Sequence, residues 1–76
     1  MSRAAPEYFD YVNAAKEAGI SDDQLKLIEQ MFRADYPTDE MLFELHVLRV
    51  CLSVKDGRTD LKRVLREAQE RKADAA

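Results

Sequence analysis

The sequence predicts an all-α protein, a compact domain of four helices with the third helix at its centre. Apolar side chains recur at spacings of three and four residues, capping residues and helix-ending glycines or prolines divide the chain into four stretches, and no stretch alternates with the period of two that marks a strand. The helices are expected at about 6–18, 22–35, 39–56 and 60–72. The 76 residues fit a single domain, 1–76, in which we expect 1–5 and 73–76 to fray.

The limits of the first two helices are set by prolines, a glycine and a capping box. Pro6 suits the first position of a helix, where an N–H group would have no partner in any case. Gly19 follows the first helix, where the chain needs a left-handed residue. Ser21 and Gln24 have the spacing of a capping box, and Pro37 disfavours helical geometry in the residue before it. The second helix is therefore expected to end at about Asp35.

The last two helices carry the same kinds of signal at their ends. Thr38 is the expected N-cap of the third helix, Lys55 lies in its last turn and Gly57 follows it. Thr59 is the expected N-cap of the fourth helix. Acidic residues follow both caps, where the helix dipole favours negative charge.

The third helix is apolar on two nearly opposite sides. At about 100° per residue, its apolar side chains separate into two stripes. The first stripe is Met41, Leu45, Leu48 and Leu52, and the second is Phe43, Val47, Val50 and Val54 with Cys51 at its edge. A helix of this kind needs neighbours on both sides.

A second copy of the chain is the neighbour that we expect on one of these sides. The fourth helix offers only a narrow apolar strip of Leu61, Val64, Leu65 and Ala68. The expected interaction surface is the second stripe, Phe43, Val47, Val50 and Val54, extended by Phe9 and Leu27. The alternative is that all ten apolar residues of the third helix belong to the intramolecular core.

Charge is distributed unevenly along the chain. Residues 1–46 sum to −6 and residues 47–76 to +3, which matches the net charge of −3. The basic residues Arg58, Lys62, Arg63 and Arg66 form an expected partner face for an acidic protein or, as the less favoured alternative, a nucleic acid. Glu67 and Glu70 are spaced to pair with Arg63 and Arg66, and a solvated face with local ion pairs is the more common meaning of this pattern.

A segment across the first two helices resembles the core of a helix-turn-helix. Its residues are Ala15, Gly19, Ile20, Ser21, Leu25 and Ile28. In that motif a small residue packs under the turn and apolar residues hold the second helix. The second helix here begins with Asp22 and Asp23, which would repel phosphate groups, so a helical corner without DNA contact is the favoured interpretation.

No group of residues predicts catalysis, a metal site or a cofactor site. His46 has no Glu-x-x-His or His-Glu-x-x-His neighbour, and a histidine that is hydrogen-bonded to its surroundings is the favoured interpretation. Cys51 is the only cysteine, which excludes a disulfide within the chain, and a small buried side chain is its expected role. We therefore expect no enzyme, no metal and no cofactor.

The expected function is a small non-catalytic protein–protein interaction module or regulatory adaptor that self-associates through the third helix. The alternative is a nucleic-acid-binding or transcriptional accessory protein that uses the basic fourth helix or the segment 15–28. No apolar run approaches the roughly 20 residues that cross a bilayer. The first eight residues lack the apolar core of a signal peptide, so a cytoplasmic location is expected.

Overall fold

The computed structural model describes the backbone of residues 6–75 and the side chains of residues 6–73. It contains four helices, α1 (Tyr11–Glu17), α2 (Asp22–Asp35), α3 (Glu40–Lys55) and α4 (Leu61–Ala75), and no strand within residues 6–75. This confirms the all-α class and the four-helix architecture. Residues 1–5 and 76, for which fraying is expected, lie outside the described part of the chain.

The limits of α2 agree with the sequence in detail. Ser21 accepts a hydrogen bond from the Gln24 N–H, and the Gln24 side chain accepts one from the Ser21 N–H, so the capping box is formed. Gly19 and Gly57 have φ values of 78° and 77° and end α1 and α3 in the left-handed conformation. Asp39, one residue after the expected Thr38, caps α3 by accepting from the Leu42 N–H. Helix α4 continues to Ala75, past its expected end at about 72.

Helix α1 begins five residues later than the sequence predicts. Its N-cap is Asp10, whose carboxylate accepts from the Asn13 N–H and from the Asn13 side-chain amide. The preceding residues do not take up helical structure, because the N–H groups of Glu7, Tyr8 and Phe9 all bind one buried carboxylate, Glu44. The expectation that Pro6 opens the helix is therefore wrong. The late start of α1 is caused by contacts between residues that lie 35 to 37 positions apart in sequence.

The helices are arranged around α3 and α2. Helix α3 packs against α1 and α2, and α2 also packs against α4. An ion pair between Glu17 and Lys55 joins the ends of α1 and α3, which run in the same direction. Near the start of α3, Arg33 of α2 pairs with Glu40, so α2 and α3 run in opposite directions. The core is made of apolar side chains from all four helices and the loop after α1: Tyr11, Ala14, Ala15, Ile20, Leu25, Ile28, Met31, Phe43, Val47, Cys51, Val64 and Ala68.

Candidate protein-interaction surface

One side of α3 is enclosed by the rest of the chain at Phe43, Val47 and Cys51. Phe43 and Val47 retain 4% and 0% of their accessible surface, and Cys51 is equally buried. The Phe43 ring meets the edge of Tyr11 from α1 with centroids 6.3 Å apart, and the Arg33 guanidinium from α2 lies 3.7 Å from the centre of the same ring. This side of α3 is therefore shared between α1 and α2.

The opposite side of α3 is covered less completely by the other three helices. Met41 and Leu52 retain 51% and 40% of their surface, Leu45 is half-buried, and Leu48 is half-buried and packs against the core. These four residues, the first stripe of the sequence analysis, are called the open stripe below. Leu42 and Arg49 are exposed beside it. The stripe is open because α4, whose narrow apolar strip could have covered part of α3, packs chiefly against α2.

Two residues of the interaction surface expected from the sequence, Phe43 and Val47, are buried and so cannot form such a surface. Phe43 and Val47 belong to the core, and Val50 and Val54 are half-buried and packed against it. Leu27 of α2 is likewise half-buried against the core. Phe9 is half-buried in the segment that precedes α1, where its N–H binds Glu44. The two stripes have similar composition, so the helical pattern could not show which of them α1 and α2 would cover.

The open stripe has the spacing of a seam between two paired helices. Its members are separated by four, three and four residues, which is the alternation of the a and d positions in a coiled coil. Three of the four are leucine, the residue that fills such positions most readily. Each side chain can act as a knob between side chains of a facing helix, so the shape of this surface suits one more helix.

Glu44 is the one charged residue among the buried side chains of the described chain. Its carboxylate accepts hydrogen bonds from the N–H groups of Glu7 at 2.8 Å, Tyr8 at 2.6 Å and Phe9 at 2.9 Å. Burial by itself raises the pKa of Glu44, but the three backbone hydrogen bonds outweigh it and the net pKa lies below the ordinary value of 4.5. An ionised Glu44 therefore holds residues 7–9, called the strap below, against α3.

Glu44 is not among the functional residues that the sequence predicts. A signal was present, because Glu44 lies three residues before Val47 and seven before Cys51, which is the core side of the helix. A charged residue at such a position needs buried hydrogen-bond partners. What the pattern could not supply is the identity of those partners, since the strap amides carry no side-chain signature.

The two residues considered for catalysis have structural surroundings. The Nδ1–H of His46 donates to the Leu42 carbonyl at 2.8 Å, and its Nε2 lies 3.3 Å from the Tyr36 hydroxyl, whose ring stacks on the imidazole. The favoured interpretation, a histidine bonded to its neighbours, is confirmed. Cys51 is fully buried, and burial followed by the nearby Glu29 raises the pKa of its thiol to about 11. The thiol stays protonated at neutral pH and packs as a small apolar side chain.

The basic face of α4 is exposed. Lys62, Arg63 and Arg66 lie in solvent, and within the described residues none of them forms an ion pair. The pairs with Glu67 and Glu70 that the spacing favours are thus not formed. Arg58 makes only a long contact of 3.7 Å with Asp56. These cations are available to an anionic partner.

The helix-turn-helix-like segment has the packing that the resemblance implies. Ala15, Ile20, Leu25 and Ile28 are all buried, and Gly19 makes the turn. The exposed start of the second helix is acidic, however, with Asp22 and Asp23 in its first turn. The segment therefore has the internal geometry of a helical corner and an outer surface that disfavours phosphate.

A shallow groove of about 120 Å³ lies between α2 and α4. Its lining residues are Gln30, Met31, Ala34, Ala68, Arg71 and Lys72. Pockets for small organic ligands usually measure about 300–1,000 Å³. The groove is too small for such a ligand. An ion pair between Arg71 and Asp35 also joins α4 to the end of α2.

The described residues hold neither a metal-ligand cluster nor a helix that could cross a membrane. No cluster of three or more His, Cys, Asp or Glu side chains there is placed to hold a metal ion. None of α1 to α4 has both the length and the apolarity needed to cross a membrane. Comparison of the chain with protein-family models, with characterised proteins and with solved structures finds no match.

Proposed function

We propose that this protein is a small non-catalytic protein–protein interaction module that self-associates through the open stripe of α3. The observation that carries the proposal is the exposure of Met41 and Leu52, together with half-buried Leu45 and Leu48, along one helical line. Apolar side chains that line up in this way on the surface of a small domain tend to mark interfaces. A regulatory adaptor is the kind of protein that such a surface, without a catalytic group beside it, suits best.

The size of the stripe predicts weak association. Completing the burial of a half-exposed Leu or Met contributes about 1 kcal/mol, so the eight stripe residues of a symmetric pair contribute roughly 8 kcal/mol. Loss of translational and rotational freedom opposes association by about 4 kcal/mol or more. The difference is about 4 kcal/mol, which corresponds to a dissociation constant of about 1 mM. An interaction of this strength responds to protein concentration, as a regulatory contact should.

Sedimentation velocity over a concentration series up to about 3 mM tests this proposal on both sides of the expected dissociation constant. We expect the 8.7 kDa chain to shift toward twice its mass as concentration rises. The double variant Met41→Arg/Leu52→Arg should remain monomeric throughout, because each copy would bring two cations to the seam. A matched control, Gln30→Arg/Gln69→Arg, adds the same charge at exposed positions outside the stripe and should behave as the wild type.

Two results would contradict the proposal. One is a wild-type chain that stays monomeric at the highest concentration. The other is a dimer that the Met41→Arg/Leu52→Arg variant retains. Circular dichroism of both variants checks that they fold, which is expected because all four substituted side chains are exposed.

The second candidate function is nucleic-acid binding through the basic face of α4. It is favoured by Lys62, Arg63 and Arg66, which are exposed and make no ion pair with described residues. Fluorescence anisotropy with duplex DNA or RNA at low salt tests it, and affinity should fall with salt at a slope of about −0.9 per phosphate contacted. Binding should be lost in Lys62→Ala/Arg63→Ala/Arg66→Ala.

The control for that experiment replaces three exposed cations outside α4, Lys16, Lys26 and Arg49, with alanine and so changes the net charge equally. If both triple variants lose binding to the same degree, binding depends on the net charge of the protein and not on a surface of α4. Absence of binding by the wild type at low salt ends this candidate.

A further inference from the structure

We infer that the open stripe pairs with the open stripe of a second copy in antiparallel orientation, with Leu45 opposite Leu48 of the second copy and Met41 opposite Leu52. This inference rests on the proposed function and specifies its partner and geometry. It follows from the spacing of the stripe and from the charges at the two ends of α3.

The spacing of the stripe limits the possible registers. In the antiparallel pair with Leu45 opposite Leu48, all four residues of each copy meet an apolar residue. A shift of the second copy by one heptad in either direction leaves only two such layers and brings Lys55 or Thr38 into the seam. The arrangement is also self-complementary, since each contact occurs twice about a two-fold axis. Only a parallel, in-register pair would fill as many layers.

The charges at the ends of α3 distinguish between the two orientations. Acidic residues surround its N-terminal end: Glu7 on the strap, Asp10 at the start of α1 and Asp39 at the cap. The C-terminal end is basic on balance, because residues 55–63 hold four cations, Lys55, Arg58, Lys62 and Arg63, against the two carboxylates of Asp56 and Asp60. A parallel pair would bring like charges together at both ends, whereas an antiparallel pair places the acidic end of one copy beside the basic end of the other. Salt screens these charges and limits the energy of each contact, but the contacts are attractive only in the antiparallel orientation.

The area of the contact agrees with a second copy as a transient partner. Met41 and Leu52 are eleven residues apart, which corresponds to about 17 Å of helix. A seam of this length lies at the low end of the size range for specific complexes, below about 1,200 Å² in total. Leu42 and Arg49, which are exposed beside the stripe, would form the rim.

Disulfide capture at the outer layers tests the orientation. Met41→Cys and Leu52→Cys each place one exposed thiol at an end of the stripe, while Cys51 is fully buried and does not compete. In an antiparallel pair two copies of the same variant hold their introduced thiols about 17 Å apart, beyond the Cα separation of about 7 Å that a disulfide can span. An equal mixture of the two variants brings the introduced thiol of one variant beside the introduced thiol of the other.

We expect the mixture to give at least about tenfold more cross-linked dimer than either variant alone under mild oxidation, as only the mixture meets the distance limit. Mass spectrometry of the linked peptides identifies the bond between positions 41 and 52. A mixture of Gln30→Cys and Gln69→Cys, at exposed positions off the stripe, measures random collision.

The outcomes separate the two proposals. Efficient cross-linking of each variant with itself would show a parallel pair and overturn this inference while self-association stands. A dimer in sedimentation that no stripe cysteine cross-links would also overturn it. A monomer in sedimentation would overturn the proposed function as well.

Discussion

The two sides of α3 have similar apolar composition and opposite surroundings. The side that carries Phe43 and Val47 is enclosed by α1 and α2, whereas the side that carries Met41 and Leu52 faces solvent. Two helices precede α3 in the chain and one follows it. The helix that follows, α4, packs chiefly against α2. The comparison teaches that the apolarity of a helix face is not sufficient for its burial, because burial also requires a neighbour that has not packed elsewhere.

The polar residues at the edges of the two sides differ in the same way. Glu44 on the enclosed side is buried and fully paired, since the strap supplies three N–H groups to its carboxylate. Arg49 beside the open stripe is exposed. The enclosed side therefore uses its polar residue to attach another part of the chain, and the open side leaves its polar residue in solvent, at the rim of the proposed interface.

Removal of the Phe43 ring should have the largest effect on the enclosed side. Phe43→Ala loses the packing with Tyr11 and the contact with the Arg33 guanidinium, and substitutions of this kind lower the free energy of unfolding by about 3–5 kcal/mol. A chain of 76 residues has about 4–11 kcal/mol in total, so between about a quarter and all of the stability is lost. Urea denaturation followed by circular dichroism measures it.

Leu42→Ala is the matched control for this substitution. Leu42 precedes Phe43 on the same helix and retains 38% of its surface, so its truncation should change the free energy of unfolding by less than about 1 kcal/mol. Equal losses for the two variants would show that the two sides of α3 do not differ in the way described.

Loss of the Glu44 charge should have an intermediate effect that depends on pH. In Glu44→Gln the side-chain NH2 group meets strap N–H groups, and we expect a loss of about 2 kcal/mol at pH 7. The folded pKa of Glu44 lies below 4.5, so its ionised form adds stability above the unfolded pKa and this stability is lost as pH falls through the folded pKa. The difference in unfolding free energy between the wild type and Glu44→Gln should therefore shrink as pH falls below 4.5.

Glu70→Gln removes an exposed carboxylate on α4 and serves as its control, with little change expected at any pH. A Glu44→Gln variant with the stability of the wild type at pH 7, or a difference that grows as pH falls, would contradict the account of the strap.

The local parts of the fold could be predicted from sequence because their causes are local. The capping box of Ser21 and Gln24 and the break at Pro37 fix α2 within a few neighbouring residues. Gly19 and Gly57 end helices through their own backbone conformation. The roles of His46 and Cys51 followed from the absence of suitable neighbours in their own helix.

The parts that the sequence did not predict depend on distant partners. The start of α1 is set by Glu44, which lies more than thirty residues after the strap that it binds. The choice between the two stripes of α3 depends on where the other helices pack: α1 and α2 cover Phe43 and Val47, and α4 packs chiefly against α2. Phe43 and Val47 are therefore core residues and not part of an exposed surface. The helical pattern predicts the helix and its two apolar sides, and only the packing of the other three helices shows which side stays open.

Truncation on the open stripe should have the smallest effect on the isolated chain. Leu52→Ser removes an apolar side chain that retains 40% of its surface, so the free energy of unfolding of the monomer should fall by about 1 kcal/mol, as for the similarly exposed Leu42. Urea denaturation at low micromolar concentration, where the expected dimer is dissociated, measures this value. The same variant should weaken self-association in sedimentation at high concentration, because the outer layer of the seam loses its apolar contact with Met41 of the second copy. A loss of stability as large as that of Phe43→Ala would place Leu52 in the core, and the open stripe would then have no free side to offer a partner.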